Sequence, residues 1–170
     1  MRTPLLRLLA ATASLALAAA LTAACGGGDS GTPAPAGSCQ VQVSTNTKTK
    51  PTVVVPQCSP PGSLQRNDVV AGSGPAAVAG DSVRVQYVGI AWSNRRQFDA
   101  SWDHGGQPFA VSPLGQAQVI TGWNQGLIGV RAGTRRLLVI PPALGYGVQG
   151  SGEIKSNETL VFVVDVVSVN

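Results

Sequence analysis

Basic side chains are few and scattered in this sequence. No Lys/Arg cluster exceeds the pairs Arg95-Arg96 and Arg135-Arg136, and the formal net charge is +4. Removing residues 1–24 would take away Arg2 and Arg7, leaving ten basic against eight acidic residues, a charge of about +2. Such a dispersed charge is no nucleic-acid footprint, so no nucleic-acid partner is expected. Histidine occurs once, at His104, and there is no Gly-x-Ser-x-Gly elbow. A Ser/His/Asp hydrolase therefore lacks support, and a lone histidine reads as a surface or rim residue. Cysteine is limited to Cys25, Cys39 and Cys58, and neither Cys39 nor Cys58 has another Cys or His at ligand spacing. No metal is expected. The stretch Gly145-Tyr146-Gly147-Val148-Gln149-Gly150 matches a dinucleotide-binding pattern in letters, but a loop and a last strand follow it instead of a helix and a partner strand. No cofactor is expected either.

What is present begins with an export signal. Arg2 precedes a run from Leu8 to Ala24 made only of Leu, Ala, Thr and Ser. The run is a little short for a membrane span of about 20 residues and ends in small residues, which favours cleavage. Leu21-Thr22-Ala23-Ala24-Cys25 resembles a bacterial lipobox, in which Cys25 would become the first mature residue and carry a diacylglycerol on its sulfur. Thr22 stands where that motif prefers an aliphatic residue. The alternative is an ordinary secretory peptide cut nearby, with Cys25 incidental. Residues 26–38 are almost wholly Gly, Pro, Ser, Ala and Thr, a flexible tether spanning on the order of 20 Å. The expected location is outside the cytoplasm, held to the cell membrane by the lipid on Cys25. Cys39 and Cys58 then remain as two thiols in an exported chain, and a disulfide between them is expected. Closing that loop stabilises by roughly 3 kcal/mol in the chain-entropy model.

The chain thus divides into a signal (1–24), a tether (25–38), a short β extension (39–62) and one folded domain (63–170). Gln40-Val41-Gln42-Val43 and Thr52-Val53-Val54-Val55 read as the two short strands of the extension. In the domain, Val83, Val85 and Tyr87 alternate with Asp81, Arg84 and Gln86, the pattern of a half-buried antiparallel strand. Leu137–Ile140 is a continuous apolar run, and Leu160–Val167 is too β-branched for a helix. One segment has helical spacing: Ile120, Trp123, Leu127 and Val130 fall at i, i+3, i+7 and i+10. Gly122, Gly126 and Gly129 weaken it by up to about 1 kcal/mol each, so it must be held by packing on a sheet. The expected fold class is α+β, a twisted antiparallel sheet of five to six strands wrapped around one short helix.

Several blocks occur in one order over the domain: Val85-Gln86-Tyr87-Val88-Gly89, Phe98-Asp99-Ala100-Ser101, Pro108-Phe109, Leu114-Gly115, Val119-Ile120-Thr121-Gly122-Trp123, Leu144-Gly145-Tyr146-Gly147 and Thr159-Leu160-Val161-Phe162. Together they resemble the FKBP-type peptidyl-prolyl cis-trans isomerases. The resemblance implies a substrate pocket between helix and sheet, with Trp123 as floor and Tyr87, Phe98, Phe109, Val119, Ile120, Tyr146 and Phe162 as walls. It also implies a backbone N–H at Ile120 and polar groups on Tyr146 and Asp99 facing the substrate, with His104 and Ile154 at the rim. Implied partners are proline-containing segments of exported polypeptides and macrolide inhibitors, bound by a monomer. The chain departs from the family at His104, where an Arg commonly pairs with the Asp. It departs again in the 150–157 loop, where Glu153 and Lys155-Ser156 replace apolar and Pro-Pro residues. The rival expectations are an FKBP-like binding module or holdase with little isomerase activity, and a surface protein in which the aromatics are only core.

Overall fold

The computed structural model describes residues 39–170; the signal, Cys25 and the whole tether lie outside the described residues. The alternating segment is strand β4, Val83–Ala91, and the apolar runs are β7, Arg135–Ile140, and β8, Leu160–Val169. With β3 (Gln65–Val70), β5 (Gln97–Ala100) and β6 (Phe109–Val111) they form a six-stranded sheet in the order β3-β7-β8-β4-β5, with β6 also paired to β4. Every pairing is antiparallel. β7 and β8 are central and buried on both faces, which is why their sequences run apolar without alternation. The expected α+β fold, an antiparallel sheet with one short helix, is the fold observed.

The helix α1 spans Thr121–Gly126, shorter than its apolar spacing suggested. Leu127 caps it, and at Gly129, with φ 82°, the chain turns back and donates from its N–H to the Ala77 carbonyl at 2.8 Å. Leu127 and Val130 still point inward and are fully buried, so the pattern reported burial beyond the helix itself. The weakening glycines have a structural purpose. A Cβ on Gly122 would lie 2.4 Å from Ile140 Cγ2, and one on Gly126 would lie 2.8 Å from Leu138 Cδ2. Only glycines let this helix rest directly on β7.

The sheet has two covered faces. On the helix side Val83, Val85, Leu138, Ile140, Leu160, Phe162 and Val164 pack with Trp123, Leu127 and Val130. On the other side Val88, Ile90, Leu137, Val139, Val161 and Val163 are buried beneath the N-terminal extension. The extension consists of β1 (Gln42–Val43) and β2 (Val53–Val54), paired antiparallel, whose Val43 and Val53 pack on that second face with Val55. Each fully buried Val or Ile contributes about 1.5–3 kcal/mol relative to exposure. This cover explains why β4 alternates only as far as Tyr87 and is buried on both faces from Val88 onward.

Polar links fasten the extension. Cys39 and Cys58 are joined in a disulfide with Cα atoms 5.9 Å apart, and the Trp92 indole donates to the Cys58 carbonyl at 2.9 Å. Arg135 is fully buried and bidentate on Asp165, at 2.6 and 2.7 Å. Its remaining N–H groups donate to the Ser44 carbonyl at 2.7 Å and the Thr49 carbonyl at 3.0 Å, holding the loop between β1 and β2.

Candidate active site

The site is built from the helix upward. Trp123 projects from α1 toward β4 and β8, and its ring centroid lies 5.2 Å from Tyr87, 5.2 Å from Phe162 and 6.1 Å from Phe109, all edge to face. Phe98 meets Phe162 at 5.6 Å, also edge to face. Such T-shaped pairs match the positive edge of one ring to the negative face of the next, so the rings hold one another. The Trp123 indole nitrogen is buried and has no hydrogen-bond partner among the described residues. Gly89 sits opposite Phe162 in the β4–β8 ladder. A Cβ there would approach Phe98 Cζ to 2.7 Å and Phe162 Cε1 to 2.8 Å, so this position must lack a side chain for both rings to fit.

A cavity of about 200 Å³ opens above Trp123. It is lined by Tyr87, Phe98, Asp99, Phe109, Val119, Ile120, Trp123, Tyr146 and Phe162, the set expected from the sequence, and by Gln118. Phe109 and Tyr146 are 42% and 38% exposed and form its mouth. The segment leading into the helix is held by Asn124, whose side-chain oxygen accepts from the Ala117 N–H at 3.1 Å and whose amide donates to the Ala117 carbonyl at 2.9 Å. Ile120 is the N-cap, and its N–H has no acceptor among the described residues.

One polar corner faces the aromatic walls. The Tyr87 hydroxyl donates to Asp99 Oδ2 at 2.6 Å, and His104 Nε2 contacts Asp99 Oδ1 at 2.9 Å. Burial pushes Asp99 upward, but hydrogen bonds from Tyr87 and His104 outweigh it and hold the carboxyl below its usual value. An ionised carboxylate only accepts, so His104 Nε2 carries the proton in this contact. Burial, then the bond to Asp99, lifts the Tyr87 phenol far above its ordinary range, so it stays a neutral donor. Ser101 supports the corner from behind: its hydroxyl accepts from the Tyr87 N–H at 2.9 Å and donates to the Gln86 side-chain carbonyl.

Two expectations need adjusting. Ile154, expected at the rim, is 8% exposed and packs into the core, because backbone bonds in both directions between Ser151 and Ile154 tuck the turn inward. The 150–157 loop, where the chain departs from the family pattern, contributes none of the residues lining the cavity. Gln118, Ser101 and Asn124 were missed. Gln118 adjoins the Val119-Ile120 block, whereas Ser101 and Asn124 act through the backbone and carry no periodic signal.

No nucleophile with an adjacent base lies in the cavity; its chemistry is an apolar box with one phenol–carboxylate pair. Residues 74–167 match the family model described as FKBP-type peptidyl-prolyl cis-trans isomerase. The chain is 48% identical over 121 residues to an FK506-binding protein of Streptomyces anulatus, covering 70% of this chain and 96% of the relative. It is 39% identical over 118 residues to a probable FK506-binding protein of Corynebacterium glutamicum, covering 69% and 97%. Among solved structures it is similar to AtFKBP13, with a TM-score of 0.57 and 33% identity over 63% of this chain and 93% of that one. It is also similar to FkpA from Escherichia coli, with 0.56 and 38% over 63% and 48%. With the fold and the relatives in agreement and the family model matching more than half its length, this chain belongs to the FKBP-type peptidyl-prolyl cis-trans isomerase family.

Proposed function

We propose that the protein speeds rotation about X-Pro bonds in exported polypeptides by enclosing the prolyl ring in the aromatic cavity. The carrying observation is the box of Tyr87, Phe98, Phe109, Trp123 and Phe162 around a space of about 200 Å³, room for one proline-sized group. Rotation faces a barrier of about 18–20 kcal/mol because the amide is resonance-stabilised, and unaided it takes tens to hundreds of seconds. No bond breaks. A catalyst needs only to favour the twisted amide over the planar one. Twisting reduces charge separation, so a dry apolar cavity disfavours the planar form more, and each 1.36 kcal/mol of difference is tenfold in rate. In this reading the free N–H of Ile120 donates to the substrate carbonyl, and Tyr146 and the Asp99–Tyr87 corner line the opposite side.

A macrolide of the kind named in the relatives would compete for the same cavity. The reading includes an exported monomer held to the cell membrane by a lipid on Cys25 and tethered by residues 26–38, facing the extracytoplasmic space; the signal-like residues 1–24, the lipobox-like Leu21–Cys25 and the Cys39–Cys58 disulfide, which fits an oxidising compartment, support it. A proline-limited refolding assay tests the reading. Phe162→Ala and Trp123→Leu should each lower kcat/KM at least tenfold. Unchanged rates in both would overturn the pocket assignment, and suppression of aggregation without any isomerisation would favour a holdase.

A further inference from the structure

Arg136 is a buried cation that lines no part of the cavity. It stands on β7 directly opposite Asp68 of the edge strand β3, and by strand alternation it shares the helix face of the sheet with Leu138 and Ile140. The guanidinium is bidentate on Asp68, from Nε at 2.5 Å and from one terminal nitrogen at 2.9 Å. Its other terminal nitrogen donates to the Gly126 carbonyl at 2.9 Å and the Ile128 carbonyl at 3.0 Å, at the end of α1 and in the turn that leaves it. Arg66, also on β3, adds a longer bond to the Gln125 carbonyl at 3.4 Å. The last carbonyls of a helix have no partner within it, and basic side chains are suited to take them.

Little else fixes α1 on the sheet. Its six residues are too few for a helix to stand alone, and at Gly122 and Gly126 it meets β7 without side chains. Apolar contact of that kind is non-directional and does not by itself stop the helix from sliding. Among the described residues, the hydrogen bonds that join residues 121–128 to strands of the sheet come from Arg66 and Arg136. Asn124 ties the helix to Ala117, outside the sheet. Trp123 lies on the same short helix, and its unpartnered indole nitrogen does nothing to set its depth. From this geometry we infer that Arg136 is a positioning residue for the pocket, with Asp68 as its support: by holding the C-terminal carbonyls of α1 against β7, the pair sets the height of Trp123 and the direction of the Ile120 N–H. The planar fork of arginine suits the task, because it can serve a carboxylate along one edge and carbonyls along another. Arg135, the neighbouring residue, turns to the opposite face and grips Asp165 and the extension instead. The inference rests on reading the cavity above Trp123 as the substrate site.

The test reads the folded protein without substrate and then its activity. In proton–nitrogen NMR spectra the Trp123 indole, one of three in the chain, is identified by its loss in Trp123→Leu. Arg136→Met should shift that signal and the Ile120 amide, and leave in place the Trp92 indole, which bonds to Cys58 on the far face. It should lower kcat/KM about tenfold, part of the roughly hundredfold loss that a misplacement of about 1 Å can bring. Arg136→Lys should recover part of both, because an ammonium reaches a carbonyl but cannot fork across Asp68, Gly126 and Ile128 together. Asp68→Asn keeps the arginine and should shift the same signals less, with kcat/KM down about two- to fivefold, the range for a partly exposed ion pair. That variant carries the test if Arg136→Met does not fold. Arg135→Met is the control for stability: measured well below its melting temperature, it should leave the Trp123 indole and kcat/KM near the parent. The inference fails if Asp68→Asn and every folded Arg136 variant leave the Trp123 signal unchanged, or if Arg135→Met lowers kcat/KM as much as they do. An inactive parent protein would count against the isomerase reading alone, since the NMR arm needs no substrate.

Discussion

Replacing Arg135 by Met should destabilise the domain by about 3–5 kcal/mol, the range for removing one partner of a buried pair and leaving the other charge uncompensated. Two features place it in the upper part of that range. The Arg135 side chain is 0% exposed and that of Asp165 only 11%, so water cannot take over the lost contacts. Two further carbonyls, of Ser44 and Thr49, lose their donors at the same time. For a domain of this size 1 kcal/mol shifts the melting temperature by roughly 3–5 °C, so a fall of about 10–20 °C is expected. A second variant separates the two causes. Arg135→Met with Asp165→Leu removes both charges, and such apolar replacements are often neutral or stabilising, so most of the melting temperature should return. The loop between β1 and β2 stays unanchored in both variants, so amide exchange at Ser44, which donates to the Thr52 carbonyl at 3.0 Å, should be faster in both. Thermal unfolding followed by circular dichroism, with hydrogen exchange on the same samples, reads all of this. A loss below about 1 kcal/mol in the single variant, or a double variant no more stable than the single, would refute the account of Arg135 as a buried, paired anchor.

Gly89→Ala forces a methyl to within 2.7 Å of Phe98 and 2.8 Å of Phe162. It should cost about 1–3 kcal/mol in thermal unfolding, as overpacking does, and lower isomerase kcat/KM by displacing two walls; full activity would show that the rings yield without consequence. Asp99 titrates lower in the folded chain than in the unfolded one. Its contribution to stability is therefore fully present above the unfolded carboxyl range near pH 4 and is lost as pH falls through the lower folded value. Urea unfolding between about pH 5 and 2 should show Asp99→Asn with a shallower acid loss than the parent, and identical slopes would remove the corner from the acid response.

Legibility followed how each residue is held. Strands β4, β7 and β8 were readable because burial on a sheet face imposes a period of two or a continuous apolar run. β3 was not, since Gln65-Arg66-Asn67-Asp68 is polar on both sides, as befits an edge strand whose burial begins only at Val69. β5 and β6 are too short for any period to show. The helix was placed correctly but drawn too long, because Leu127 and Val130 continue to face the core after the backbone has left helical geometry. In the site, the aromatic walls could be found from their motifs. The supports Ser101, Gln86 and Asn124 could not, because a polar side chain bonding to backbone leaves no trace in hydropathy; Gln118 was passed over although it adjoins the Val119-Ile120 block. Ile154 was misplaced for a related reason: a turn closed by two backbone bonds can direct an apolar residue inward whatever its neighbours.

The extension bears on the pocket even where it does not touch it. Successive residues of a strand face opposite sides, so a slip of one residue would exchange whole faces. In β4 Tyr87 lines the cavity while Val88 lies under the extension, and in β8 Phe162 lines the cavity between Val161 and Val163, which lie under the extension. A sheet solvated on its far side would resist such a slip through one face only. Here both faces are apolar and covered, so a slip would expose one set of buried side chains while burying the other wrongly. The β4–β5 ladder is the place where this matters most, because its register shifts between Gly89 and Ile90 and so sets Asp99 opposite Gly89, beside Phe98 and Phe162. Residues 39–62 thus act on the site without touching it: the buried far face that they cover holds the strand register on which every aromatic wall depends.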